Sequence, residues 1–282
     1  MKKQQWILVS SGVIACLLLL FFGRTVPPNK PATPAVSSQD HEHQAISFDA
    51  ILTQARQKIS PEQALRLTRL ENSISRGDVK EQQIHVYHQL ARFWADSAHV
   101  FETYAWYTGE AAKLENSEKS LTFAAHQFLD GLMREDQPAM QTWLAGNAKV
   151  LFEKALAINP ANDSSRIGLG ACYIFGNLSD NPMEGILPIR EIVQRNPDNL
   201  YGQLILGLGG RKSGQYDKAI ERFRIVAQKD PANMEAVFNL AECYEIKGDK
   251  ASAIKWYEQG KELVKLPEAR KEIEKRITEL RK

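Results

Sequence analysis

Apolar positions fall into distinct regimes along the chain. From Trp6 to Phe22 no charged residue occurs. Between residues 46 and 80 apolar positions return at helical spacing. Phe48, Ile51, Leu52 and Ala55 share one face, and Pro61 suits the first turn of a second helix, Pro61-Glu62-Gln63-Ala64-Leu65. Further on, a longer period is laid over the helical one. Ala219, Phe223 and Pro231 recur as Ala253, Tyr257 and Lys265, a shift of 34 residues, while Leu206-Gly207 returns as Leu240-Ala241 and Gly214 as Gly248. Earlier copies read Leu169-Gly170 with Tyr173 ahead of Pro197, and Ala148, Phe152, Ala155 and Pro160. At the end, Ile273, Ile277 and Leu280 line one side of a charged helix over 267–281. The pattern predicts helices throughout.

A period of about 34 built from paired helices is a solenoid signature. Two antiparallel helices approach closely only where side chains are small. Gly170, Gly207 and Ala241 supply that on the first helix of each pair, and Ala148, Ala219 and Ala253 on the second. Tyr173, Tyr244, Phe152, Phe223 and Tyr257 fill the space beside each crossing. Pro160, Pro197 and Pro231 end second helices, because proline lacks an N–H and clashes with the preceding turn. Gly214 and Gly248 fall in the turns, where a left-handed residue is needed. On these residues the chain resembles the tetratricopeptide repeat (TPR) family, in its membrane-anchored bacterial form. The resemblance implies an all-α TPR-type helix-turn-helix solenoid, a right-handed superhelix, with a single N-terminal transmembrane helix.

The expected organisation is an anchor over 1–23, a Pro-rich tether over 24–45 and N-terminal helices over 46–80. Degenerate TPR-like repeats over 81–162, three clear repeats over 163–266 and a capping helix over 267–282 complete it. Departures are visible within the repeats. The copy from Asp163 carries about three extra residues in its turn and places Gly185 where the small residue belongs; the next has Gly210 where Tyr173 and Tyr244 stand. Upstream, Arg134-Glu135-Asp136-Gln137-Pro138 interrupts the unit opened by Ala125 and Phe128.

The uncharged run 6–22 would be ~25 Å long as a helix, at the short end of a membrane span. Lys2 and Lys3 precede it, so the positive-inside rule leaves the N-terminus in the cytoplasm and the repeats outside, in the bacterial periplasm of an inner-membrane protein. A second reading stays open: Val13-Ile14-Ala15-Cys16 is similar to a lipoprotein processing box, which would anchor the chain through a lipid on Cys16. Residues 24–44, with Pro27, Pro28, Pro31 and Pro34 among polar residues, cannot build a core and read as a tether reaching up to ~60 Å.

Charge narrows the function. A net charge of +2 leaves no electrostatic footprint for nucleic acid. Three cysteines make no disulfide framework, and Cys172 and Cys243 occupy one repeat position as small packing residues. Gly207-Leu208-Gly209-Gly210-Arg211-Lys212-Ser213 fails as a phosphate loop, since Arg211 replaces the required glycine and the segment is helical. His41, His43, His85, His88, His99 and His126 lack metal-ligand spacing. No nucleophile, acid–base pair or cofactor motif stands out, so the expectation is a protein without catalysis, cofactor or metal.

The resemblance places the working surface on the concave groove, lined by the first helix of each repeat. Carried over residue by residue, it implies Ile167, Ala171 and Ile174, then Tyr201, Leu204, Leu208, Arg211 and Lys212, then Glu235, Phe238, Glu242 and Glu245. Such a groove suits a protein or peptide ligand; alternatively, these residues pack against the chain's own terminal helices. The expected role is an envelope scaffold, open to homo-oligomerisation, with an accessory factor to a cytochrome-maturation-like system or an outer-membrane-assembly-like lipoprotein as alternatives.

Overall fold

The structure, a computed structural model, describes residues 46–74 and 79–282. The anchor over residues 6–22, Cys16 and the tether read from the sequence lie outside the described residues. No helix among the described residues is long and apolar enough to cross a membrane.

The described chain is helical from end to end. After α1 (Phe48–Arg56) and α2 (Pro61–Ile74) come α3 (Lys80–Arg92), a π-helical turn over Phe93–Ser97, and α4 (Phe101–Glu115). Helices α5 (Glu118–Leu132) and α6 (Pro138–Ile158) follow, then α7 (Asp163–Phe175) and α8 (Met183–Arg195). The chain closes with α9 (Leu200–Lys212), α10 (Tyr216–Lys229), α11 (Met234–Ile246), α12 (Lys250–Leu263) and α13 (Pro267–Leu280). Each helix from α3 onward packs on the next, and α5, α7, α9 and α11 also neighbour one another in turn. This is the stacked-hairpin geometry of a helical solenoid, and the all-α repeat expectation holds.

One linker recurs three times. Asn159, Asn196 and Asp230 end α6, α8 and α10, and their side-chain oxygens accept from the amides of Ala161, Asp198 and Ala232, each at 3.2 Å. After the intervening proline, Asn162, Asn199 and Asn233 cap α7, α9 and α11, accepting from the amide three residues on at 2.9 Å. Each junction thus satisfies the free N–H groups of the incoming helix from within its own few residues. The hairpin turns share another device: Gly214 and Gly248 have φ of 72° and 79°, and Asn177 fills the same left-handed role at 52°, as Asn116 does between α4 and α5.

Small-on-large contacts close the hairpins. A Cβ on Gly207 would stand 2.6 Å from the Phe223 ring, so α9 approaches α10 only through glycine. The aromatic segment 87–107 belongs to the core rather than the surface: Phe93 and Trp94 are fully buried, and Phe48 stacks on Trp106 with ring centroids 4.3 Å apart. At the far end Ile277 and Leu280 of α13 pack on Ala241, Ala253 and Tyr257. Cys172 and Cys243 are buried free thiols, and burial pushes them up to about 12 and about 11, so they stay protonated.

Candidate functional site: the concave groove

The first helices of the hairpins crowd together on the inside of the solenoid. Thr122 Oγ1 on α5 lies 2.9 Å from Ser165 Oγ on α7. His126, one turn further along α5, lies 3.0 Å from Ser164 Oγ and meets the ring of Tyr201 on α9 edge-on at 5.7 Å. Tyr201 therefore reaches across α7 to touch α5. This crowding decides which expected groove residues stay accessible.

Three do not. Ile167 and Ala171 are fully buried, and Ile174 retains 8% exposure. Their side chains fill the core cluster shared by α4 to α9, and only the edges of Ile167 and Ile174 reach a surface depression. Phe238 is also taken up internally, its ring lying 2.7 Å from where a Cβ on Gly260 of α12 would stand. Glu245 is held by the chain's own last helices, accepting from Tyr257 Oη at 2.9 Å and pairing with Arg276 of α13. Leu204 is half-buried against the cluster of α10 and α11.

The rest converge. Leu208, Arg211, Lys212 and Glu235 line one cavity of about 600 Å³. Phe175 and Asn239 complete its inner wall, and Leu132, Glu135 and Asp136 close it from the end of α5 and the loop after it. Arg211 is fixed in place: Nη1 donates to Asn239 Oδ1 at 2.7 Å and Nη2 pairs with Glu242 Oε2 at 2.5 Å. Lys212 turns back to the C-terminus of α7, donating to the carbonyls of Ile174 and Phe175 at 3.3 and 3.4 Å, where a cation complements the helix dipole. Burial lowers its pKa. Glu235 moves the other way, raised by burial and by the charge of Asp130.

A shallower depression of about 310 Å³ lies at His126, Ser164, Ile167, Asn199 and Tyr201. The Tyr201 hydroxyl is buried with no hydrogen-bond partner among the described residues, and burial raises its pKa. Burial lowers that of His126, against the opposing pull of Asp130. Sequence reasoning missed Asp130, Glu135, Asp136 and Asn239. The interruption at 134–138 was the available signal for the two loop carboxylates.

The histidines do not gather. His85 contacts Gln89 at 2.9 Å, His88 pairs with Glu115 at 2.7 Å, and His126, two helices on, lies against Ser164. Among the described residues no group of three His, Cys, Asp or Glu could hold a metal ion.

The geometry is that of a solenoid with an inner groove, and residues 191–264 match the family model described as tetratricopeptide repeat. That segment, from the end of α8 through α12, carries tetratricopeptide repeats. Over 125 residues the chain is 30% identical to the human "Interferon-induced protein with tetratricopeptide repeats 2", a match covering 42% of this chain and 26% of that protein. It therefore spans about a quarter of the length of that curated relative. Similar solved structures include a MamA crystal structure at 18% identity and TM-score 0.42, covering 64% of this chain and 91% of that one. A MamA fragment from Desulfovibrio magneticus RS-1, at 19% identity and TM-score 0.43, covers 66% and 96%. YrrB, described as a TPR protein with an unusual peptide-binding site, is 18% identical with TM-score 0.40 over 73% and 97%.

Proposed function

We propose that the chain is a non-catalytic interaction scaffold whose concave groove holds a segment of another protein. The observation that carries this is the convergence of Leu208, Arg211, Lys212 and Glu235 on one cavity of about 600 Å³, a size ordinary for a ligand site. Its apolar floor would anchor a side chain, while carboxylates on both walls and the fixed Arg211 would set register. The TPR match over 191–264 supports the same reading.

We further propose that residues 6–22 attach the chain to a membrane and that the repeats work in the bacterial envelope, supported by the uncharged run and by Lys2 and Lys3 ahead of it. Attachment through a lipid on Cys16 is the second reading, favoured by Val13-Ile14-Ala15-Cys16. A Cys16→Ser variant that keeps its membrane attachment and its mass eliminates it.

The test of the scaffold is capture of the intact chain from its native membrane after gentle crosslinking, beside an Arg211→Glu, Glu235→Lys variant. A partner that the variant loses supports the groove. A partner that binds both equally moves the site elsewhere, and the absence of any partner contradicts the scaffold.

A further inference from the structure

We propose that the cleft between α8 and α10 is a second binding site, a socket for an aromatic side chain carried on an acidic segment of a partner protein. The repeat pattern places a tyrosine late in the first helix of a hairpin, at Tyr173 in α7 and Tyr244 in α11. Both rings are used internally: Lys149 Nζ sits 5.4 Å from the centroid of Tyr173, and Tyr244 packs between the last two core clusters. In α9 the same position is Gly210.

Beside that position lies an open cleft. A cavity of about 450 Å³ opens beside Gly210, walled by Ile174, Ile186 and Leu206. Crowding does not explain the glycine, because a Cβ there would meet Ala219 at 3.4–3.6 Å, ordinary van der Waals contact. The apolar wall of Ile174, Ile186 and Leu206 offers contacts that an inserted ring would make.

The rim specifies the charge of the visitor. Arg190, Lys218 and Arg222 surround the opening with the single carboxylate of Glu221. Lys218 donates to Gln215 Oε1 and Arg222 to Gln203 Oε1, each at 2.7 Å, and none of the three cations is ion-paired among the described residues. They are available to carboxylates, and a guanidinium at the rim can also lie over an aromatic face. The cleft shares no lining residue with the concave cavity. It stands independently of the groove reading.

The test uses the full-length chain in detergent, methyl-labelled for NMR, titrated with two small probes sharing one ring: 4-hydroxyphenylacetate and tyramine. The expected result is saturable shifts at the methyls of Ile174, Ile186 and Leu206, with the anionic probe binding about tenfold tighter than the cationic one, the ratio that two or three exposed charge contacts supply. Gly210→Tyr, which fills the socket from within, should weaken the anionic probe at least about tenfold. Should that variant fail to fold, Arg190→Glu with Lys218→Glu decides, and is expected to abolish the preference for the anion. Equal affinity for the two probes, shifts at Leu208 instead of the cleft, no shifts at millimolar probe, or binding unchanged by the substitutions would each overturn the proposal.

Discussion

Gly170 and Gly185 meet backbone to backbone where α7 crosses α8: a Cβ added to Gly170 would stand 2.7 Å from the carbonyl oxygen of Gly185. No side-chain rotation relieves that contact, so the helices would have to separate. Gly170→Ala should cost about 1–3 kcal/mol, the range for overpacking a core. Gly146 in α6 has nothing within 4 Å of its added Cβ, and Gly146→Ala should stabilise by about 0.5–1 kcal/mol. Urea unfolding of the two variants checks this, and midpoints that move in the same direction would contradict the packing argument.

That crossing was legible in the sequence because the requirement is local. A hairpin of two helices needs small residues at the crossing and large ones beside it, and the repeat spacing displays both. The groove was legible only in part. Ile167, Ala171 and Ile174 hold the right positions on α7, yet α5 and α9 close over that helix through the Thr122–Ser165 contact and the reach of Tyr201 to His126. How tightly a solenoid winds depends on helices two units apart, and no single repeat records it. Glu245 follows the alternative reading of packing against the terminal helices, its partner Arg276 lying 31 residues away on the closing helix. The cavity wall built by Glu135 and Asp136 comes from an insertion, which a repeat pattern registers as noise.

Stability should depend on pH through two groove residues with opposite signs. Burial holds His126 below its ordinary 6.5, so between its folded pKa and 6.5 the unfolded chain binds more protons and stability rises with pH, levelling off above that value. Burial and Asp130 hold Glu235 above its ordinary 4.5, so from 4.5 up to its folded pKa the native state binds more protons and stability falls as pH rises. Urea midpoints measured across pH 4–8 should lose the rising component in His126→Gln and the falling one in Glu235→Gln. An unchanged profile in either variant would mean that the residue is more solvated than the groove geometry requires.

Closure of the solenoid by α13 rests on apolar contact more than on charge. Ile277 is 4% exposed against Ala241, Ala253 and Tyr257, whereas Arg281 and Glu258 pair at 2.7 Å with both side chains about half exposed. Ile277→Ala should cost about 2 kcal/mol, and Arg281→Ala well under 1 kcal/mol, as for other exposed ion pairs. Thermal unfolding of the two variants separates the effects, and a larger loss in Arg281→Ala would reverse the assignment.

Arg211 offers a contrast between stability and binding. Its bonds to Asn239 and Glu242 hold it at the groove wall, and the ion pair has about 40% exposure on each side. Arg211→Ala should change folding stability by less than about 1 kcal/mol while weakening capture of the groove ligand. Calorimetric unfolding alongside pull-down checks both halves, and loss of fold without selective loss of binding would make the residue structural.

The central claim, that the concave groove is the working surface, is tested most directly by site-specific photocrosslinking of the intact chain in its native cells. Benzoylphenylalanine would be placed at Glu235, which lines the cavity, or at Val150, 42% exposed on α6 and outside it. A discrete crosslinked protein from position 235 and none from position 150 is the predicted result. Crosslinks of equal strength from both positions, or from position 150 alone, would contradict the account.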